Sequence, residues 1–389
     1  MTQKTAYMDY AAATMVDPRV QKVIRKYEGF GFGNSMSMHN WGRVANEAIG
    51  KARKTLAGFI GAEAEEIIFT SSATESNNLA LKGWMDSRAD KKHIILSAIE
   101  HKCVMESANF LKKKGYEISL LPVDEEGEVK LKELKKMIRP DTLLVSVMAV
   151  NNEVGTIEPI EEIGRICKRK KVMFHCDAVQ AFGKMKIDVE RQGIDMLTLS
   201  SHKIYGPKGV GLLYVRKEIK LGLEPLMHGG GQEEGKRSST MNVAGIVGMA
   251  KAAELMMKNR VGETKRLAKL KKRFMKGVKT ALSGVKINGK TDKCVSNILN
   301  LSFAKVEGEA ILMMLDDRGV MVSTGSACSA DDLRPSYVLL AMGKTIVEAH
   351  GSIRFSWGRW TNESEIDYAV KAVTESINKL RHLSPFSNA

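Results

Sequence analysis

Cysteine is scarce in this chain, and the few present are unpaired. The 389 residues include five, Cys103, Cys167, Cys176, Cys294 and Cys328, widely spaced and with no CxxC pair. An odd, scattered set argues against a disulfide framework and against a zinc site. Long hydrophobic runs are missing too. Stretches such as "TLLVSVMAV" at 142–150 stop well short of the ~20 apolar residues that cross a bilayer. The N-terminus "MTQKTAYMDYAAAT" has neither the basic start nor the apolar core of a secretion signal. These absences predict a cytosolic, cytoplasmic chain.

Positive charge is in excess, with 60 Lys and Arg against 45 Asp and Glu, a net charge of +15. A nucleic-acid partner would require those charges on a stripe or within a recognition motif. Instead they are spread over amphipathic segments such as "KKK" (112–114), "KRKK" (168–171) and "KRLAKLKKR" (265–273). Solvated helix faces or acidic partner proteins fit that distribution better. No repeats or low-complexity stretches occur.

What the chain does contain is the composition of a folded protein, 43% apolar and 27% charged, at a length that favours two domains. Helical and extended apolar stretches alternate from about 45 to 215. Helical spacing in 44–61 leads to a short strand "EIIFT" (66–70), then a helix from "SATESNNLALKGWM", then "KHIILSA" (92–98) extended. The strands "YEISLLP", "TLLVSVMAV", "VMFHCDAV", "DMLTLSS" and "GVGLLYVR" follow, with helices between most of them. Such alternation predicts an α/β fold with a mostly parallel sheet covered on both faces. Beyond about residue 257 the texture changes. A lysine-rich helix over roughly 262–281 opens what reads as a smaller α+β domain.

Ligands on such sheets sit beyond the carboxyl ends of the strands, and four chemically useful segments fall there. In "DMLTLSSHKIYGPKGVG", Lys203 follows a strand and is placed to form a Schiff base; an exposed turn lysine is the plain alternative. In "FHCDAVQ", Asp177 ends a strand and could hold the proton on a pyridine nitrogen, with Gln180 as a nearby donor. In "TSSATE", Ser72 and Glu75 have capping-box spacing, and the helix start with Thr74 suits a phosphate. In "SAIEHKCV", His101 follows a strand and could shuttle protons over a cofactor ring. Each has an ordinary structural explanation alone, but together they point to pyridoxal phosphate. Four of the cysteines read as small buried hydrophobes. Cys328 stands apart in "STGSACSADDLRP" (323–335), a small, polar segment expected to move.

From "YMDYAAATMVDP" through "SSATESNNLA", "NNEVGTIEPI", "HCDAVQ", "SSHKIYGPKGVG", "GGGQEEGKRSST" and "GSACS" to "SIRFSWGR", the chain resembles the cysteine desulfurases of the class V aminotransferase family. The resemblance implies the pyridoxal-phosphate fold type I, with a large domain at 14–256 and a small one built from 1–13 and 257–389. It also implies roles. Lys203 matches the cofactor-bonding lysine, His101 the ring-stacking acid/base, Asp177 the ring-nitrogen partner and Gln180 the phenolic-oxygen partner. Ala73, Thr74, Ser200 and His202 match cofactor-binding positions around the phosphate, with Thr240 supplied by the other subunit of a homodimer. Asn152 and Arg354 match the groups that hold the substrate carboxylate, and Asn152 also contacts the cofactor.

Cys328 matches the cysteine that takes sulfur from L-cysteine as a persulfide, leaving alanine. The length of its segment resembles the group that hands sulfur to iron–sulfur scaffolds, and tRNA thiolation is another destination. No metal site is implied, beyond Cys328 as a transient iron–sulfur ligand. The sequence departs from the family pattern at "NSMS" (34–37), where Asn-Pro-Ser-Ser is usual, and at "RSST", where "RSGT" is usual. Elimination chemistry on selenocysteine or cysteine sulfinate, and a non-catalytic binding protein of this fold, are the competing readings.

Overall fold

Strands that are apolar along their whole length are buried on both faces, and most of the strands here are of that kind. The computed structural model describes residues 4–29, 31–86, 92–325 and 334–383. In chain order its strands are β1 (Ala6–Tyr7), β2 (Ile67–Thr70), β3 (His93–Ser97), β4 (Glu117–Leu121), β5 (Thr142–Ser146) and β6 (Met173–Asp177). They continue with β7 (Met196–Ser200), β8 (Gly211–Val215), β9 (Val285–Asn288), β10 (Ile298–Phe303), β11 (Val320–Met321) and β12 (Ser352–Ser356).

Seven of these form one sheet in the order β2-β8-β7-β6-β5-β3-β4. β8 alone runs against its neighbours, and the other pairings are parallel. All residues of β3, β5, β7 and β8 are buried, whereas the edge strand β4 is half-exposed. The parallel, doubly covered sheet expected from the alternation is therefore present.

Two expected elements differ in extent. The run 142–150 is a strand only to Ser146, although the Val147 and Ala149 N–H groups still bond to carbonyls of His175 and Asp177. Beyond that the chain turns, because Asn151 Oδ1 accepts the N–H groups of Glu153 (2.9 Å) and Val154 (3.0 Å). The second difference is the lysine-rich helix, which starts far earlier and spans Val243–Ala281 without a break at 256–257. Asn242 caps it by accepting Gly245 N–H at 2.9 Å. Its first half, from Val243 to Met256, packs in the core of the seven-stranded sheet. Leu267, Leu270, Phe274 and Val278 pack in a second core with β10, β12 and the helix Glu363–Leu383. That second core covers a three-stranded antiparallel sheet, β9-β10-β12, beside the parallel pair β1-β11.

One buried histidine gives the large sheet a pH dependence. His175 on β6 lies between Ser146 Oγ on β5 (2.8 Å from Nδ1) and Thr198 Oγ1 on β7 (3.2 Å from Nε2). Burial pushes its pKa down to about 3. The unfolded chain binds a proton at this group near pH 6.5, and the folded chain does not until near pH 3. Stability from this side chain is therefore complete above pH 6.5 and falls with acidification, by about 1.4 kcal/mol per pH unit between those limits. Denaturant unfolding of wild type and His175→Asn from pH 4 to 7 checks this. The stability difference should shrink as pH falls, and a constant difference refutes it.

Candidate active site

The carboxyl ends of β2, β3, β5, β6 and β7 point the same way, and the residues just past them enclose one cavity of about 240 Å³. Ala73, Thr74, His101, Asn152, Asp177, Gln180, His202, Lys203 and Arg354 all line it. Ser200 stands one step behind, its Oγ 3.0 Å from His202 Nδ1. Thr240 is exposed and is not among the lining residues. Cys328 lies outside the described residues.

Lys203 ends the single helical turn Ser201–Lys203 that follows β7. Its Nζ donates to the carbonyls of Ala11 (2.6 Å) and Ala12 (2.7 Å), so the N-terminal segment closes over the amine. That segment is fixed by Ala11 N–H to Ser356 Oγ (2.9 Å) and by Thr14 Oγ1 to the His202 carbonyl (2.9 Å). Asp177, at the end of β6, is buried. Its Oδ2 accepts Asn77 Nδ2–H at 2.8 Å and its Oδ1 accepts Val179 N–H at 3.0 Å. These donors orient the carboxylate. Gln180 donates one amide hydrogen to the Ala11 carbonyl (2.9 Å) and accepts from Lys184 Nζ (2.7 Å). An amide has a second hydrogen to give. Burial, and then the Lys203 charge, push the Lys184 amine down to about 7.

The opposite wall begins at the helix Ala73–Asn78, which runs on through a π-helical stretch, Leu79–Gly83. Ser72 Oγ accepts Glu75 N–H at 3.2 Å. The return half of the expected capping box does not form. Glu75 accepts instead from Ser71 N–H (2.7 Å) and from Arg237 Nε (2.7 Å), because a guanidinium is the stronger partner. Gly211 on β8 is needed here, since a Cβ would lie 2.5 Å from the Ser72 carbonyl carbon. Burial, with the charges of Lys203 and Lys208, pushes His202 down to about 4, so the ring is neutral at neutral pH.

His101 caps the helix Lys102–Lys113, its Nδ1 accepting Cys103 N–H at 3.3 Å. Cys103 corrects one expectation. Its sulfur lies 3.0 Å from His101 Nδ1, receives Asn77 Nδ2–H at 3.2 Å and lines the cavity, so the thiol is only half-buried at the edge of the core. Cys294 is also only half-buried, with Lys271 Nζ 3.1 Å from its sulfur. Cys167 and Cys176 are the buried pair, and burial raises both thiols, Cys167 to about 12. Arg354 on β12 is buried, with Nη1 donating to the Asn152 carbonyl (3.0 Å) and Nη2 to Asp9 Oδ1 (2.9 Å). Its buried Nε has no hydrogen-bond partner among the described residues.

Asn77, Asp9 and the Ala11 and Ala12 carbonyls belong to the site but were assigned no role from the sequence. Each falls inside a quoted motif, "SSATESNNLA" or "YMDYAAAT". The set of donors fits pyridoxal phosphate. A fixed carboxylate suits the ring-nitrogen cation, a primary amine suits the aldehyde, and a helix start beside a neutral imidazole suits the phosphate.

Comparison with known proteins agrees with this geometry. Residues 6–369 match the family Aminotransferase class-V. Cysteine desulfurase IscS of Dictyoglomus turgidum is 48% identical, covering 99% of this chain and 97% of its own. The mitochondrial cysteine desulfurase of Saccharomyces cerevisiae is 49% identical, over 97% of this chain and 76% of its own. A solved NifS-like protein superposes with a TM-score of 0.91 at 39% identity, covering 97% of this chain and 100% of that one. The cavity, its cofactor chemistry and these relatives agree: the chain belongs to the aminotransferase class-V family, among its pyridoxal-phosphate-dependent cysteine desulfurases.

Proposed function

We propose that this protein converts L-cysteine to L-alanine and captures the sulfur as a persulfide on Cys328. The observation that carries the reading is the meeting of Lys203, Asp177, His101, Asn152 and Arg354 on one cavity. Asp177 would hold the cofactor at its ring nitrogen and Gln180 at its phenolic oxygen. Ala73, Thr74, Ser200 and His202 would hold the phosphate. Thr240, exposed in the single chain, would come from a second copy. Bound there, pyridoxal phosphate supplies an electron sink for the pair left on the substrate Cα.

The chain's own groups do the rest. Arg354 and Asn152 orient the substrate carboxylate. Lys203 Nζ, held at the Ala11 and Ala12 carbonyls, is the base positioned for the Cα proton. A free thiol is only a few per cent ionised near pH 7, so the reaction needs an acceptor for the Cys328 proton, and His101 is that acceptor. The Cys328 sulfur bonds to the substrate sulfur as the substrate Cβ–S bond breaks. The bond's electron pair stays with the alanine fragment, which takes up a proton. The two joined sulfurs each lose one electron and the Cβ carbon gains both, so no outside oxidant is needed. The persulfide then passes to an acceptor for iron–sulfur assembly or tRNA thiolation.

A homodimer accounts for Thr240 and for the exposed apolar side chains of Phe32, Met36, Met38 and Trp41. Residues 14–256 serve as the cofactor domain, and 1–13 with 257–389 as the smaller domain, in keeping with the change of core along the helix Val243–Ala281. The cytoplasm is the setting the free thiols favour. No helix among the described residues is long and apolar enough to cross a membrane. Incubation with L-cysteine and a reductant tests the reaction. Alanine and sulfide in equal yield support it, and pyruvate with ammonia refutes it.

A further inference from the structure

Two residues bordering the stretch that carries Cys328 meet one buried carboxylate. Glu153 is 4% exposed. Its Oε2 accepts the Ser336 hydroxyl at 2.6 Å on the outgoing side. On the incoming side, a Cβ on Gly325 would lie 2.4 Å from that same oxygen, so only glycine lets the chain pass so close. Ser336 also caps the helix Tyr337–Ala341, its Oγ accepting Leu339 N–H at 3.2 Å. The Tyr337 hydroxyl anchors that helix to the Glu100 carbonyl. Just before Gly325, Ser323 exchanges backbone hydrogen bonds with Arg354 (3.2 and 2.7 Å).

Glu153 is itself held rigidly. Its N–H bonds to Asn151 Oδ1, and its carbonyl accepts Asn300 Nδ2–H at 3.4 Å. It directly follows Asn152, which lines the cofactor cavity and whose carbonyl takes Arg354 Nη1. Keeping a carboxyl in such a place is costly. Burial raises its pKa to about 7, against the opposing pull of Ser336, Arg354 and His101.

We propose that Glu153 is a positioning residue for sulfur transfer, holding the outgoing flank of the Cys328-bearing stretch through Ser336, with the incoming flank packed against it at Gly325, beside the substrate-binding turn at Asn152. The inference rests on the persulfide reading above. Anchoring one flank and leaving room only for glycine at the other raises the effective concentration of the thiol at the substrate sulfur without touching either group. A residue that merely filled space would affect binding and transfer together.

The test uses the holoenzyme and separates the two steps. The change in cofactor absorbance on adding L-cysteine reports binding. Mass spectrometry of Cys328 after a single turnover reports transfer. Glu153→Ala and Ser336→Ala should each slow persulfide formation by about 10- to 100-fold, while the half-saturating cysteine concentration moves less than about twofold. The double variant should be no slower than the slower single one, because both remove the same contact. Glu153→Gln keeps an acceptor for Ser336 and should recover most of the rate. Transfer in Glu153→Ala within about twofold of wild type, or equal losses of binding and transfer, overturns the proposal. If Glu153→Ala does not fold, Ser336→Ala decides by the same criteria. A wild-type enzyme that makes alanine with no persulfide on Cys328 refutes the sulfur-capture reading itself, a result distinct from these.

Discussion

Lys203→Ala should form alanine and sulfide about 10²- to 10⁴-fold more slowly than wild type, the range of a lost acid–base group. The expectation comes from the placement of the amine. Lys203 Nζ is fixed by the Ala11 and Ala12 carbonyls at the rim of the cavity that also holds Asp177 and Arg354. Alanine removes the amine and leaves those two carbonyls without their donor. Lys203→Arg should be equally inactive, because a guanidinium keeps its proton at any working pH and cannot act as a base. A small primary amine added to the alanine variant should restore part of the rate. Alanine production under single-turnover conditions measures this, and a rate for Lys203→Ala within tenfold of wild type would exclude Lys203 from the chemistry.

The second large effect concerns the thiol. Cys328→Ala should still change its cofactor absorbance on adding L-cysteine, yet release sulfide at least about 10³-fold more slowly. A free thiol in solution cannot match the effective molarity of one carried by the chain. Cys103 sharpens the test, since its sulfur lines the same cavity 3.0 Å from His101 Nδ1. If Cys103 were the acceptor, the extra sulfur would be found there and Cys328→Ala would retain its activity. Persulfide on Cys328 alone, with sulfide lost in the variant, assigns the role. Wild-type-like sulfide release from Cys328→Ala would refute it.

Much of the site was legible because its residues sit at a simple structural landmark. Apolar runs mark buried parallel strands, and the first polar residues after them face the ligand. Asp177 closes β6, and His101 and Lys203 lie in the short turns after β3 and β7; all three line the cavity. The helix Val243–Ala281 shows where periodicity fails. Its lysine-rich half has one wet face and a clear helical pattern. Its first half is buried on several sides, so its apolar residues mark no single stripe and its start could not be read. Glu75 shows a second limit, since its capping-box spacing was correct but Arg237, distant in the chain, claimed the carboxylate.

By itself the sequence determined the alternating architecture, the strand-end lysine, aspartate and histidine, and the isolation of Cys328 from any second cysteine, because these depend on local spacing and composition. Only the tertiary structure decided which groups hold them. The Ala11 carbonyl on Lys203, Asn77 on Asp177, Asp9 on Arg354 and Ser336 on Glu153 each join residues far apart in the chain. Such hydrogen bonds are set by how the elements pack, and packing leaves no period in the sequence to read.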